Sequence, residues 1–374
     1  MEQRKRILLL TPRLGGGGAQ HVMALVARGL PRERFEVHLG LVRARDASSG
    51  AAPPWVTVHA LGAERTRAAA LPLLLLVWQL RPDVILSGAP ESSFLVLFLR
   101  PFFPPRTRVL VRQNGTVSAA LAHGGVPRYT GLLYRLLYRR ADRVICQSRA
   151  MAEDLARETG VRNEQIAVLP NPVDLEGIRA ARNAPLAWSG EGPHLLAAGR
   201  LSREKGFDLL IEALATVRKR FPGTDLTIAG SGGEKAALQA LCQTLNLGHA
   251  VRIAECVDSP YAFFPGATLF VLSSRYEGMP NAMLEAAAAG LPLVATPASG
   301  GVVDLLRGRK GTWLAKDVSS ESLAEALTAA LEGIRPGERI RHGFFPSTGG
   351  TDPAEVSPES RGAQPGVVSP YAPK

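Results

Sequence analysis

Cysteine is scarce in this chain. The 374 residues include three cysteines, Cys146, Cys242 and Cys256, which lie far apart and form no Cys-x-x-Cys pair. Disulfide frameworks and cysteine-based zinc sites need an even number of cysteines or closely spaced pairs. The sequence therefore indicates a reducing compartment, and we expect a cytoplasmic protein without a bound metal ion.

Long hydrophobic runs are also missing. The most apolar stretch, residues 71–80, is well short of the roughly 18 residues that a membrane-spanning helix needs. The basic N-terminus precedes an apolar run that is too short for a signal peptide. Because 46% of the residues are hydrophobic and 21% are charged, the composition suits a folded chain of two domains with buried cores.

Negative charge is in short supply in the first half of the chain. Residues 1–180 contain 25 Lys and Arg against 14 Asp and Glu, whereas residues 181–374 contain 19 of each. The whole net charge of +11 therefore belongs to the first half. Such an excess attracts phospholipid, nucleic acid or a phosphorylated substrate. An arginine-rich genome composition would produce the same excess without any partner.

Short apolar runs, typical of buried parallel strands, alternate with segments of helical periodicity. In the first half we predict strands at residues 7–11, 35–42, 84–87, 109–112, 144–147 and 166–169, and helices at 19–30, 129–140 and 149–159. In the second half we predict strands at 195–198, 226–229, 251–254, 269–272 and 291–295, and helices at 204–221, 234–245, 260–264 and 281–289. This alternation predicts an α/β fold with parallel sheets covered by helices.

The alternation is interrupted once and then ends. It breaks around residues 170–174, where a loose Ala, Gly and Pro stretch continues to residue 193. We therefore predict two doubly wound, Rossmann-like domains at 1–175 and 176–332, with a hinge near 171–193 and facing crevices. From residue 333 to 374 the chain is rich in Gly, Pro and Ser without apolar periodicity, which predicts a disordered tail.

Three segments follow predicted strands and precede predicted helices, where parallel α/β sheets bind ligands. The first, residues 15–20, has four glycines that would let a phosphate approach the backbone and the helix N-terminus. The second, residues 199–206, places Arg200 and Lys205 beside a helix start, a setting suited to a diphosphate. Flexible turns and solvated loops are the structural alternatives for these two segments.

The third segment, residues 275–286, carries two acids eight residues apart. Glu277 is placed to bind sugar hydroxyls from the loop, and Glu285 lies among alanines in an apolar helix. A carboxylate buried without a partner is costly, so Glu285 needs one, and a ribose diol is a candidate. A surface glutamate paired with a nearby arginine is the alternative.

Together these segments resemble the nucleotide-sugar site of family-4 retaining glycosyltransferases, which have the GT-B fold. The resemblance rests on Arg200-x4-Lys205 and Glu277-x7-Glu285, and it extends to the segments 17–19, 171–174, 290–296 and 299–301. It covers roughly residues 5–330 in the correct order. It implies an acceptor-side domain at 1–175, a nucleotide-sugar-binding domain at 176–332, and transfer of a hexose or N-acetylhexosamine.

The resemblance also implies a role for each matching residue. Arg200 and Lys205 would neutralise the departing diphosphate, Glu285 would hold the ribose, and Glu277 the transferred sugar. Gly278 and the backbone amides around Asn281 and Ala282 would complete the sugar site, while Gly17 and Gly18 would let the first domain approach the phosphates. Retention would follow from front-face departure, in which a diphosphate oxygen helps to deprotonate the acceptor. No metal is implied, since Arg and Lys replace it. UDP is the expected nucleotide of the donor, by family frequency.

The chain departs from the family pattern at two positions in its first half. Gln113 stands where many relatives have histidine and is a candidate sugar contact, with His123 too far along the chain to replace that histidine. Gln20 stands where the relatives have an acid after Gly-Gly-Ala.

The acceptor is expected to be a glycan or a lipid-linked sugar of cell-envelope polysaccharide or lipopolysaccharide. Residues 129–140 mix aromatics, leucines and arginines at helical spacing, and residues 94–103 with Arg106 and Arg108 are near in sequence. These residues would dock on anionic lipid at the inner membrane face. Packing of the helix on its own sheet is the alternative.

Other functions remain open at this point. A nucleotide-sugar 2-epimerase shares the two-domain architecture, although the paired basic and acidic motifs favour a transferase. A homologue that binds a nucleotide sugar without turnover is a non-enzymatic alternative. We expect no nucleic-acid partner, because no recognised nucleic-acid module accompanies the basic charge.

Overall fold

The chain forms two compact units in a computed structural model. One unit comprises Met1–Pro172 and the other Val173–Lys374. The structure describes residues 4–13, 17–43, 52–123, 126–127, 129–183, 188, 192–255, 260–335 and 337–342. Each unit has its own parallel sheet and its own apolar core.

The first unit is built on a seven-stranded parallel sheet in the order β3-β2-β1-β4-β5-β6-β7. Its strands are β1 Lys5–Thr11, β2 Phe35–Leu41, β3 Thr57–Ala60, β4 Val84–Ser87, β5 Arg108–Arg112, β6 Arg143–Cys146 and β7 Ile166–Val168. Its helices are α1 Gly18–Gly29, α2 Ala70–Leu80, α3 Pro90–Leu99, α4 Val117–His123, α5 Thr130–Leu137 and α6 Arg149–Thr159. All of its strand pairs are parallel, as the alternating pattern predicts.

Strand β1 shows why its four consecutive apolar residues are needed. Successive side chains point to opposite faces of a strand. Leu8 and Leu10 belong to the core beneath α2 and α3, whereas Ile7 and Leu9 pack with Met23 of α1. Because both faces are covered by helices, the strand reads as a continuous apolar run.

The second unit has a six-stranded parallel sheet in the order β10-β9-β8-β11-β12-β13. Its strands are β8 His194–Ala198, β9 Asp225–Ala229, β10 Val251–Ala254, β11 Leu269–Leu272, β12 Leu293–Ala295 and β13 Thr312–Leu314. Its helices are α7 Leu175–Ala181, α8 Phe207–Val217, α9 Lys235–Thr244, α10 Asn281–Ala288, α11 Gly300–Leu306 and α12 Ser320–Gly333. The strand order reverses between β8 and β11, and such switch points are where open α/β sheets bind ligands.

The predicted fold class is confirmed, since both sheets are parallel and covered by helices. The edge strands β3 and β13 escaped prediction because each is short and only partly buried. The predicted helix 204–221 is in fact a 3-10 turn, Arg203–Lys205, followed by α8, because Gly206 between them has a left-handed φ of 61°. No helix in the described ranges has the length and apolarity needed to cross a membrane.

The linking stretch after Pro172 contains more structure than its composition indicates. Helix α7 lies within the predicted hinge at 171–193, and the Asp174 side chain caps it by accepting a hydrogen bond from the Gly177 amide at 2.9 Å. Such a cap satisfies one of the amides that a helix start leaves unpaired. The composition of the stretch therefore did not predict α7, although Asp174 at its N-cap marks where the helix begins.

The segment after α12 also differs from the predicted tail, which begins at residue 333. Ile340 and His342 are buried, and the Ile340 amide donates to the Gly290 carbonyl at 2.7 Å. The Ile340 side chain fills the space beside Gly311, where an added Cβ would lie 2.6 Å from it. The chain is therefore packed on the second unit as far as residue 342, and residues 343–374 lie outside the described residues.

Replacing Ile340 by alanine should destabilise the second unit. A buried isoleucine truncated to alanine costs about 2–4 kcal/mol in unfolding free energy. Hydrogen exchange of peptides from β11 and β12 measures this loss. Val318→Ala, at a partly exposed position, is the control and should change the value by less than about 1 kcal/mol. Equal effects of the two substitutions would contradict the packing of this segment.

Candidate functional site

Two loops meet at the carboxyl ends of β8 and β11, beside the switch point of the second sheet. The backbones approach so closely that a Cβ on Gly206 would lie 2.1 Å from the Ser273 carbonyl oxygen. The Ser273 hydroxyl donates to the Lys205 carbonyl at 2.8 Å, and the Arg275 amide donates to the Glu204 carbonyl at 2.7 Å. The loops 199–206 and 273–280 thus form one surface.

The structure brings Lys205 and Glu277 together. The Lys205 Nζ and the Glu277 Oε1 are 2.5 Å apart, and the Ser274 hydroxyl donates to the same oxygen at 2.7 Å. The Glu277 side chain is only 9% exposed and that of Lys205 is 21% exposed, so this ion pair is largely shielded from water. Partial burial strengthens such a pair and fixes its geometry.

Arg200, the other predicted cation, lies at the surface. Its Nη2 is 3.6 Å from Glu204 Oε1, and 68% of its side chain is exposed. An exposed ion pair of this length contributes little to stability. The guanidinium can therefore exchange Glu204 for a stronger anionic partner at small cost.

Arg275 organises the surface between the two loops. Its guanidinium donates to both carboxylate oxygens of Asp208 at 2.7 and 2.6 Å, and to the Arg203 carbonyl at 2.9 Å. Burial raises the pKa of Asp208, but the hydrogen bonds from Arg275 lower it by a larger amount. The net pKa therefore lies below the usual range. No role was predicted for Arg275 from the sequence, although its position directly after β11 is a signal for one.

Glu285 is buried in α10, as its alanine-rich surroundings indicate. Tyr261 Oη donates to Glu285 Oε1 at 3.3 Å. Burial raises the pKa of Glu285 to about 7, with the Tyr261 hydrogen bond opposing the shift and the charge of Asp174 adding to it. The side chain is therefore close to half protonated at neutral pH.

The remaining candidates of this unit lie where α10 begins. Gly278 is buried, and its carbonyl accepts a hydrogen bond from the Ser299 hydroxyl at 3.4 Å. Asn281 and Ala282 are half-buried in the first turn of α10. Amides of a first turn have no acceptor within the helix, so they are suited to bind oxygen atoms of a ligand.

Gly17 and Gly18 lie in the first unit, where α1 begins at Gly18. Both are exposed, and Gly17 has extended backbone angles. A Cβ on Gly17 would lie 2.9 Å from the Gln20 Oε1, so the absent side chain leaves room for Gln20 at the helix start. Gly15 and Gly16 lie outside the described residues.

Gln113 is enclosed at the end of β5. Tyr138 Oη donates to its Oε1 at 2.9 Å, and its Nε2 donates to the Gly115 carbonyl at 3.0 Å. Both ends of this buried amide thus bind protein groups, and a contact between Gln113 and a sugar stays a prediction. The His123 side chain is not among the described ones.

The neighbouring Arg112 is a buried cation that the sequence analysis did not single out. Its guanidinium donates to the side-chain oxygens of Asn114 and Asn171. Burial lowers its pKa to about 10. Asn171 belongs to the Asn-Pro-Val-Asp segment, so this segment is anchored to β5 through Arg112.

No group of three or more His, Cys, Asp and Glu side chains within the described ranges has the arrangement of a metal site. The expectation that no metal takes part stays a prediction. The chemistry that the side chains themselves offer is charge stabilisation by Lys205 and Arg200, and hydrogen bonding by two carboxylates.

Two protein-family models match the chain, one in each half. Residues 16–176 match the model described as Glycosyltransferase Family 4, and residues 179–341 match Glycosyl transferases group 1. The second match includes both loops of the candidate site and ends at residue 341, one residue before the end of the packed segment that follows α12.

Curated proteins with similar sequences come from several organisms. The N-acetylgalactosamine-N,N'-diacetylbacillosaminyl-diphospho-undecaprenol 4-alpha-N-acetylgalactosaminyltransferase of Campylobacter jejuni is 27% identical over 85% of this chain and 88% of its own length. The lipopolysaccharide core biosynthesis glycosyltransferase LpsE of Rhizobium meliloti is 28% identical over 70% of this chain and 68% of its own. An uncharacterized glycosyltransferase of Methanocaldococcus jannaschii is 25% identical, and the chain spans only 60% of that protein.

Solved structures share the fold. Sucrose-phosphate synthase from Thermosynechococcus elongatus superimposes with a TM-score of 0.70 at 20% identity, covering 88% of this chain and 90% of that one. Anabaena HepE in complex with UDP-glucose superimposes with a TM-score of 0.67 at 19% identity, with the same coverage.

The family matches extend over both units with a gap of two residues, from residue 16 to residue 341. The predicted family is thereby confirmed, because the half that carries Gly17 and Gly18 and the half that carries Lys205 and Glu277 match in the expected order. The chain belongs to the glycosyltransferases, with a family-4 first half, a group-1 second half and the GT-B fold.

Proposed function

We propose that this transferase moves a hexosyl or N-acetylhexosaminyl group from a nucleoside diphosphate sugar to a glycan or lipid-linked acceptor, with retention of configuration. The observation that carries the proposal is the shielded Lys205–Glu277 ion pair at the switch point of the second sheet. It holds a cation for the diphosphate and a carboxylate for sugar hydroxyls at one place, in the loops that a donor would contact.

The cations would act on the leaving group. Negative charge grows on the diphosphate as the bond between the sugar C1 and the phosphate oxygen breaks. Fixed positive charges stabilise that change most when little water surrounds them, which favours Lys205 as the main contributor. Arg200 would move from Glu204 to the phosphate, since its present ion pair is exposed and weak.

The glutamates would position the two ends of the donor. Glu277 keeps the hydrogen bond from Ser274 while its carboxylate accepts from hydroxyls of the transferred sugar. The amides of Asn281 and Ala282 would add donors from the start of α10. Glu285 would accept hydrogen bonds from the ribose diol, an interaction that favours its ionised form.

The reaction would form a bond between the acceptor oxygen and C1 on the face from which the diphosphate departs. The acceptor hydroxyl loses its proton to the departing phosphate oxygen, so no protein nucleophile is needed. Gly17 and Gly18 would let the backbone of the first unit approach the phosphates. Because Arg200 and Lys205 supply the positive charge, we propose that the transfer uses no metal ion.

The names of the similar proteins support the choice of substrates. Anabaena HepE forms a complex with UDP-glucose, which supports a UDP-sugar donor. The Campylobacter relative is named for a diphospho-undecaprenol, and the Rhizobium relative is named for lipopolysaccharide core biosynthesis. Both names support an acceptor of cell-envelope biosynthesis. Such an acceptor would place the enzyme in the cytoplasm, at the inner face of the membrane.

Nucleotide binding tests the proposed donor site. Calorimetric titration with UDP, GDP and ADP should show one preferred nucleotide. Lys205→Ala should weaken its binding roughly 10- to 100-fold, because a charge-assisted contact to phosphate contributes about 1.5–3 kcal/mol. Arg200→Ala should have a smaller effect. Lys316→Ala, whose ion pair with Glu325 is exposed, is the matched control and should bind as the unchanged protein does.

The product formed from the preferred nucleotide sugar separates the three candidate functions. Release of the nucleoside diphosphate with sugar transfer or slow hydrolysis indicates the transferase. A nucleotide sugar of changed configuration would indicate the epimerase, and tight binding without turnover would indicate the non-catalytic homologue. Absence of binding to all three nucleotides would contradict the donor site itself.

The stability of the second unit in Glu285→Gln, measured relative to the unchanged protein at the same pH, should be higher at pH 8 than at pH 5. The folded pKa of about 7 lies above the model-peptide value of 4.5, so the folded state keeps a proton that the unfolded state loses as pH rises. The burial cost therefore grows between about pH 4.5 and 7 and is fully present at pH 8. Removing it should contribute about 1–3 kcal/mol there, measured by hydrogen exchange at both pH values.

Glu325→Gln, on the exposed side of α12, is the control and should change stability by less than about 1 kcal/mol at either pH. Equal destabilisation by Glu285→Gln at pH 5 and pH 8 would show that the protein compensates the buried charge. If Glu285 holds the ribose, the same substitution should also weaken nucleotide binding at pH 8.

A further inference from the structure

Helix α2 presents an unusual outer face. Residues 68–80 contain no charged residue, and Leu71, Leu75 and Trp78 are each at least 49% exposed. Their spacing of four and three places them on one side of the helix. The opposite side packs into the core through Leu73 and Val77. Surface helices of soluble proteins normally carry polar side chains on the outer side, whereas the outer side of α2 is apolar.

The apolar surface continues onto the end of α3. Phe98 and Phe102 are exposed, and the Trp78 indole nitrogen donates to the Phe102 carbonyl at 2.9 Å. This hydrogen bond joins the end of α2 to the turn after α3. Two aromatic rings and an indole are therefore held at neighbouring positions on the outside of the unit.

Helix α5 adds a third apolar strip. Leu132 and Leu136 are exposed one turn apart, whereas Tyr134 is buried against Phe94 of α3 with ring centroids 4.9 Å apart. One side of α5 therefore packs within its own unit, as the structural alternative for residues 129–140 predicts, and the other side faces outward. Because α3 contacts both α2 and α5, and all three share one core cluster, they cover the same face of the first sheet.

Arginines accompany these helices without matching acids. Residues 65–143 contain twelve arginines, no lysine, and three acids, Asp83, Glu91 and Asp142. Of the described arginines in this range, only Arg100 forms an ion pair with a carboxylate, that of Asp142. Exposed Arg135 donates to a backbone carbonyl instead, that of Glu158. The range thus carries a strong positive charge that its own carboxylates do not balance.

We propose that the outer face of α2, the end of α3 and α5 is a docking surface for a bilayer rich in anionic lipid. The leucines, phenylalanines and Trp78 would enter the boundary between headgroups and acyl chains, where indole rings are favoured. The exposed arginines that flank these helices, such as Arg65, Arg67 and Arg81 beside α2, would contact lipid phosphates. The excess of unbalanced arginine favours an anionic lipid surface as the occupant. The surface lies wholly in the first unit and uses none of the proposed donor-site residues.

Sedimentation of the full chain with vesicles tests this proposal. We expect binding to vesicles of phosphatidylglycerol and phosphatidylcholine, much weaker binding to phosphatidylcholine alone, and loss at high salt. The double substitution Leu71→Glu/Leu75→Glu should weaken binding at least roughly tenfold, as should Leu132→Glu/Leu136→Glu. Leu169→Glu is the matched control, since Leu169 is similarly exposed but follows β7, and it should bind as the unchanged protein does.

Fluorescence locates the contact independently. Anionic vesicles should shift the emission of the chain to shorter wavelength, and Trp78→Phe should remove most of the shift. Trp55→Phe is the control, since Trp55 is similarly exposed but lies outside these helices. A shift that persists in Trp78→Phe would overturn the proposed surface.

Two further results would overturn the proposal. One is equal binding of the glutamate variants and the unchanged protein. The other is a dimer in analytical ultracentrifugation that the same glutamates dissociate, without vesicle binding by any form, because a second copy would then cover the surface. Nucleotide titration of each variant shows that the second unit is folded. It also separates failure here from failure of the proposed transfer, which vesicle binding does not require.

Discussion

The ion pair between Lys205 and Glu277 depends on the way in which the second sheet is wound. The two residues are 72 positions apart, yet their side chains meet because β8 and β11 are adjacent at the point where strand order reverses. A parallel sheet brings the carboxyl ends of both strands to one edge, so the loops that follow them share a surface. The contact between Lys205 and Glu277 therefore depends on the strand order of the second sheet.

Close approach of backbones is the second condition for this surface. Besides Gly206 against Ser273, a Cβ on Gly230 would lie 1.9 Å from the Gly199 carbonyl oxygen. These glycines occupy the loops after β8 and β9, so three loops can pack with little side-chain bulk between them. Side chains elsewhere in the loops then fix the arrangement, as Arg275 does through Asp208. The glycines thus allow the contact, and the charged side chains define its geometry.

The parallel sheets could be predicted from the sequence because buried strands are continuous apolar runs, as in β1 and β11. Edge strands such as β13 lack that signal, because they are partly exposed. The pairing of Lys205 with Glu277 was beyond the sequence pattern, which grouped Lys205 with Arg200 by proximity along the chain. The burial of Glu285 followed from its alanine neighbours, whereas its partner Tyr261 is 24 residues away and comes from another element. Local signals thus selected the candidate residues, and topology decided which of them touch.

The two units handle positive charge differently, and this difference bears on the origin of the basic first half. In the second unit, 20 Lys and Arg nearly balance 21 Asp and Glu, and ion pairs such as those of Arg220 with Glu332 and Lys235 with Glu255 use them. A genome that favours arginine would act on both halves of the gene, so composition alone does not explain why one half stays neutral. In the first unit the excess accompanies helices whose outer faces are apolar. Most of these arginines flank the three helices whose apolar faces are exposed, and an anionic membrane surface suits that combination of charge and apolar surface.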